Sequence, residues 1–276
     1  MRPRAGRPVG LPLVAYFCVA YLLAGGAWLA LAGGLVEPLL SFPLMVVGVG
    51  LAGPVLTALV EGRRGLRRLG ARMARWRVGA RWYLVLLVPP GAVSVVLLLL
   101  GRTVSPAFAP GLFPPGLAFG AVAGFFEELG WSGYAFPRMA ARLGTLRAGV
   151  LLGVLWGSWH APVVDHLGAA GPHGTALPLF FLAFVAAMTA MRVLIGWVYA
   201  GTGSLLLAQL LHVSSTASLV VLGPPAVSPG QEALWYAAYA AALWGSIGCT
   251  LGCWWVLRAG GRGAAVGVAA GGASGA

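Results

Sequence analysis

Two adjacent carboxylates, Glu127 and Glu128, stand inside the apolar run Phe125-Phe126-Glu127-Glu128-Leu129-Gly130-Trp131-Ser132-Gly133-Tyr134. Ionised side chains at bilayer depth are costly, so they face a bundle interior or a water-filled cavity and act there. Two further groups of this kind are His160, in Trp156-Gly157-Ser158-Trp159-His160-Ala161-Pro162, and His212, which lies between Gln209 and Thr216. Each of the four lies about ten residues into its apolar run, and at 1.5 Å per residue this spacing places them near one depth.

Helical spacing sorts their neighbours. Gln209, His212 and Thr216 follow intervals of three and four and share a face, as do Trp156 and His160. Glu127 and Glu128 project about 100° apart, so one can face a cavity while the other bonds to a neighbouring helix. A carboxylate in this setting can take a proton from water, and a histidine can orient that water for attack on a carbonyl. Donors on a further helix, His212 with Thr216 or Gln209, would stabilise the resulting oxyanion. Alternatively, Glu127, His160 and His212 could hold Zn²⁺ with one open position for water. Both routes lead to amide hydrolysis.

These residues must be carried by membrane-spanning helices. The chain of 276 residues is 59% hydrophobic and 9% charged, which excludes a soluble globular domain. Apolar runs at 11–32, 39–60, 82–100, 116–137, 148–166, 177–195, 203–222 and 233–257 predict an all-α, polytopic transmembrane bundle of about eight spans. Pro43 and Pro54 are expected to kink the second span, and residues 196–202 to form a tight connection.

The net charge of +12 comes from arginines at the ends of these runs rather than from a nucleic-acid-binding face. With alternating spans, every arginine except Arg102 falls on one side, Arg192 being counted as following the sixth run. The positive-inside rule makes that side cytoplasmic and predicts a multi-pass cell-membrane protein with both termini cytoplasmic. Residues 61–81, with eight arginines, are expected along the lipid interface, so membrane lipids are a partner and nucleic acid is not. Residues 1–10 form a basic cytoplasmic leader, 11–257 the membrane domain and 258–276 a disordered Gly/Ala-rich tail. Cys18, Cys249 and Cys253 lie in apolar runs and give no disulfide or zinc-thiolate framework. His166 and His173 are expected to be solvated, and the tryptophans to anchor and pack.

The segments EELGWSGYAFPRM, WGSWHAP and RVLIGWVYAGTGSLLLAQLLHVSS, within about 116–220, resemble the three motif regions of the CPBP family. That family comprises CAAX prenyl endopeptidases and bacteriocin-processing intramembrane proteases. Glu127 and Glu128 fill the acidic positions of its EExxxR motif, with Ser132 at the arginine position. Trp156 and His160 match an aromatic followed by xxxH, and His212 with Thr216 matches a histidine followed four residues later by asparagine. The resemblance implies an intramembrane endopeptidase acting on a peptide or protein, glutamate-dependent or metal-dependent. Glu127 would activate water with His160, His212 and Thr216 would bind the oxyanion, and Glu128 would organise the first motif. An arginine at position 132 would share a helix face with Glu128 and neutralise it; in its absence either Arg138 offers a nearby charge or hydrolysis is weakened. The departures at Ser132 and Thr216 motivate a second expectation, a non-catalytic scaffold or immunity-type protein; a proton-coupled transporter is the third.

Overall fold

Glycine spacing decides which helices of this chain touch. Gly116, Gly120 and Gly124 line one face of α4 (Gly116–Gly130) against Val220, Ala217 and Val213 of α8 (Leu205–Leu222). A Cβ on Gly120 would stand 2.7 Å from the backbone nitrogen of Ala217, so only glycine allows this approach. Gly149, Gly153 and Gly157 repeat the pattern on α6 (Thr145–Trp159) against Val193, Thr189 and Val185 of α7 (Leu177–Thr202). Gly50 and Gly53 of α2 (Pro38–Met73) admit the carbonyls of Phe126 and Leu129 in the same way. Lipid tails are as apolar as the side chains, so helices in a membrane associate through such close backbone contact and dispersion rather than hydrophobic burial.

The computed structural model describes residues 10–36 and 38–271, with side chains described for 10–36 and 42–250. It is an all-α bundle with no strand among the described residues. The remaining helices are α1 (Gly10–Ala32), α3 (Val88–Thr103), α5 (Phe136–Leu143) and α9 (Pro229–Gly271). A 3-10 segment, Ala80–Leu87, leads into α3, and a π turn, Trp131–Ala135, joins α4 to α5. The apolar runs expected to span fall on these helices, and among the described residues five segments are long and apolar enough to cross a membrane: Gly10–Ala32, Phe42–Met73, Ala80–Thr103, Gly174–Thr202 and Leu205–Leu222. Leucines such as Leu22, Leu59 and Leu182 on the outside of the bundle are more than two-thirds exposed, as a lipid-facing surface requires.

Three boundaries differ from expectation. The backbone of α2 leaves helical geometry at Gly62 (φ 63) rather than at Pro43 or Pro54, because glycine alone enters the left-handed region without steric cost. Residues 196–202 form no connection: nothing in GWVYAGT obstructs a helix, and α7 ends only where Gly203 (φ 63) accepts the left-handed C-cap. The fifth run ends its helix at Trp159, and residues 160–176 fold into turns above it. The leader lies outside the described residues except for Gly10, as do the last five residues of the tail. Cys18 and Cys249 are free thiols, and the side chain of Cys253 is among those not described.

Candidate active site

The last turn of α4 carries Glu127 and Glu128, and the chain then widens into the π turn, where the Trp131 amide donates to the carbonyls of both glutamates. Single π turns inside helices recur at functional sites because they re-aim the side chains around them. Here the turn brings Trp131 Nε1 within 3.2 Å of Glu127 Oε2 and the Ser132 hydroxyl onto Glu128 Oε2.

Glu128 is fully buried and its carboxylate is saturated. Oε1 accepts from Arg192 Nη2 and from His212 Nδ1, each at 2.8 Å. Oε2 accepts from Arg192 Nη1 at 2.8 Å and from the Ser132 hydroxyl. Four donors occupy the four lone-pair positions of an ionised carboxylate, so Glu128 has no capacity left for water. Its work is to hold α4, α7 and α8 together and to fix the His212 ring.

Glu127 is bonded differently. Its Oε2 accepts from the indoles of Trp131 and, at 2.6 Å, Trp156, while Oε1 accepts nothing among the described residues. Two indole donors set the plane of the carboxylate and leave one oxygen for an outside proton. His160 caps α6, and its Nδ1 lies 2.9 Å from the Trp156 carbonyl. A carbonyl can only accept, so the ring proton sits on Nδ1 and the Nε2 lone pair is free. The same reasoning applies to His212, whose Nδ1 donates to the carboxylate of Glu128.

Glu127, Trp156, His160, His212 and Thr216 line one cavity of about 370 Å³. Glu127 lies in its wall, and at its other end are Leu31, Phe113, His166, Leu167 and Gly168. Those five residues belong to helix ends and loops opposite the arginine-rich end, so the cavity descends from the arginine-poor side. Phe184 packs its ring 5.0 Å from that of His160, and Phe42 stacks on it at 6.3 Å, so the ring is held between apolar walls.

The structure thus brings Glu127, His160, His212 and Thr216 to one cavity and sets Glu128 behind them. It differs from the sequence reading at four residues. Arg192 does not end a span: it lies within α7, is fully buried, and grips Glu128 through both guanidinium nitrogens. It therefore fills the role that an arginine at position 132 was expected to play, with Ser132 Oγ 3.4 Å from its Nη1. Arg138, the expected substitute, pairs instead with Glu61 at the arginine-rich end. Gln209 turns away from the cavity and donates to the Phe125 carbonyl at 3.0 Å, tying α8 to α4. His173 is buried rather than solvated, stacked on Phe180 at 3.8 Å between Asp165 and Glu232.

The tryptophans nearest the site also do more than anchor and pack. Trp156 bonds Glu127 and lies 4.3 Å beneath the Arg192 guanidinium, so a single ring touches both carboxylate networks. A phenylalanine at this place could not donate. Among the described residues, no three His, Cys, Asp or Glu side chains come together to hold a metal ion. As arranged, Glu127, His160 and His212 are not gathered closely enough to ligate one ion.

Comparison with known proteins points the same way. The family model described as Rce1-like, Type II CAAX prenyl endopeptidase Rce1-like, matches residues 109–218. A CAAX prenyl protease 2 of Methanococcus maripaludis is 42% identical to the chain over 52 residues, a stretch covering 19% of either protein. The residues matched by the family model contain all the motif side chains gathered at the cavity, and over them the chain is similar to the Type II CAAX prenyl endopeptidases.

Proposed function

We propose that this protein is an intramembrane endopeptidase in which Glu127 activates the attacking water. The observation that carries this reading is the asymmetry of the adjacent glutamates: Glu128 is saturated by four donors, and Glu127 keeps Oε1 unbonded in the cavity it shares with His160 and His212. A water held between Glu127 Oε1 and His160 Nε2 meets two acceptors, which aim its own lone pair at a substrate carbonyl. The water oxygen bonds to the carbonyl carbon as Glu127 takes its proton. Collapse of the tetrahedral intermediate breaks the C–N bond, and Glu127 returns the proton to the leaving nitrogen.

The oxyanion draws on two donors. The Thr216 hydroxyl can donate in any protonation state. His212 turns Nε2 to the same cavity, because its Nδ1 is held by the Glu128 carboxylate at 2.8 Å. Both termini are cytoplasmic in this reading, with the leader at 1–10 and the tail at 258–276 on that side. The cavity then receives its peptide from the opposite, arginine-poor face.

Reconstituted protein should cleave a suitable membrane-associated peptide, and Glu127→Ala and His160→Ala should each abolish cleavage. Undiminished turnover in both variants would overturn the assignment. Thr216, in the place of an asparagine, favours one other reading: a scaffold of the same fold that binds a peptide without cutting it. In that case partner binding survives the loss of Glu127 and no member of a peptide library is cut.

A further inference from the structure

A second cavity, of about 730 Å³, lies at the opposite end of the bundle, between α2, α5 and the start of α1. Its walls carry five arginines: Arg68, Arg72 and Arg75 of α2 and the chain beyond it, and Arg138 and Arg142 of α5. Among the described residues, the one carboxylate in the walls is Glu61, which Arg68 and Arg138 share. Four positive charges are therefore uncompensated around one concavity. Among the described residues Arg142 has no ion-pair partner, and Arg138 is held in place by its Tyr134 carbonyl bond (2.8 Å) and by stacking 3.7 Å over that ring.

An anion seated in this concavity would offset those charges. Guanidinium forks match phosphate oxygens two at a time, and every basic residue here is an arginine. The rest of the lining is apolar, from Pro12, Val60, Ala71, Pro137 and Ala141. The chain neighbours of two of these, Leu11 and Leu59, are 72% and 73% exposed, which gives an acyl chain a surface beside the cavity. We propose that this cavity binds the phosphate of an anionic phospholipid, with the glycerol and acyl chains along the flank of α1 and α2.

The site has a direct line to the candidate active site. Arg72 donates to the Gly133 carbonyl at 3.0 Å and to the Tyr199 hydroxyl at 2.6 Å. Gly133 belongs to the π turn and follows Ser132, which bonds Glu128. A headgroup drawn onto Arg72 thereby steadies the turn that shapes the glutamate pair. Basic pockets between helices on the cytoplasmic side of membrane proteins are where anionic headgroups are held, and the arginine distribution puts this cavity there.

The test needs no catalytic activity. The full chain, purified in detergent, is titrated with phosphatidylglycerol, phosphatidylcholine or inorganic phosphate and read by native mass spectrometry and thermal unfolding. Phosphatidylglycerol should be retained at one molecule per chain and raise the unfolding temperature; phosphatidylcholine should do neither. The pair Arg68→Gln with Arg142→Gln should weaken retention by about tenfold or more, the scale of two lost charge-assisted contacts. Arg142→Gln alone, at an exposed residue without an ion pair, should weaken it less and leave folding intact. The control pair Arg63→Gln with Arg67→Gln removes the same charge outside the cavity and should leave retention unchanged. Equal losses in both pairs would reduce the effect to general surface charge and overturn the proposal. So would phosphatidylcholine binding as well as phosphatidylglycerol, or inorganic phosphate alone giving the full thermal shift.

Discussion

Replacing Arg192 by methionine removes a guanidinium while keeping an unbranched apolar stem in the same space. The perturbation is severe because Arg192 and Glu128 are both fully buried and joined at 2.8 Å through two parallel bonds. Without Arg192, Glu128 retains His212 and Ser132 but has no permanent positive charge, and a buried carboxylate left this way costs about 3–5 kcal/mol. Arg192→Met should therefore lower the thermal unfolding transition of the detergent-solubilised protein sharply and abolish cleavage. Ser132→Arg alone should also destabilise, because it forces two guanidiniums into one fully packed site. Combined, the two substitutions put a single arginine back beside Glu128, now from α4's own π turn. The double variant should be more stable than either single one, with a coupling energy on the order of 2 kcal/mol in the cycle. An Arg192→Met protein as stable as wild type would refute the reasoning, as would a double variant no better than the sum of its parts.

Three other outcomes follow from the packing around the cavity. Gly120→Val should destabilise by roughly 1–3 kcal/mol or more, since its Cβ would meet the Ala217 backbone at 2.7 Å and push α4 from α8; thermal unfolding measures this. Glu232→Gln should loosen the loop above the site, because Glu232 accepts from the Ala169 and Ala170 amides at 3.0 and 2.9 Å and from His173 at 3.1 Å. Hydrogen exchange should rise at residues 168–173 and stay unchanged in α4, corresponding to about 1–3 kcal/mol of lost protection. In vesicles of known orientation, a peptide offered on the arginine-poor face should be cleaved and the same peptide offered on the arginine-rich face spared.

The bundle and most of the cavity's polar residues were legible in the sequence for a simple reason. Carboxylates and histidines in apolar runs are expensive, so their presence at Glu127, Glu128, His160 and His212 marks a site, and helical spacing adds Thr216. Arg192 was hidden because a charge near the end of a hydropathy window looks like a span boundary. The clue was that GWVYAGT remains helix-compatible until Gly203, which leaves Arg192 deep within α7. Gln209 shows the opposite failure: spacing put it on the His212 face, but the side chain could reach the Phe125 carbonyl on α4 and did so. The glycine repeats of α4 and α6 carried the helix pairing all along, through positions where a Cβ would strike a neighbouring backbone. Which nitrogen of His212 is free depends on Glu128, 84 residues away in the chain, and which oxygen of Glu127 is taken depends in part on Trp156, 29 residues away. No local spacing encodes those contacts.

The central claim is that the two adjacent glutamates divide chemistry from structure, and a paired measurement of turnover and unfolding temperature on Glu127→Gln and Glu128→Gln tests it most directly. The carboxamide oxygen of Glu127→Gln can still accept from both indoles, so this variant should be as stable as wild type and show no detectable cleavage. Glu128→Gln should instead unfold at a much lower temperature, because a neutral amide cannot offset the buried Arg192. Cleavage by Glu127→Gln at the wild-type rate, or a Glu128→Gln protein with undiminished stability, would rule out this division of roles between the two glutamates.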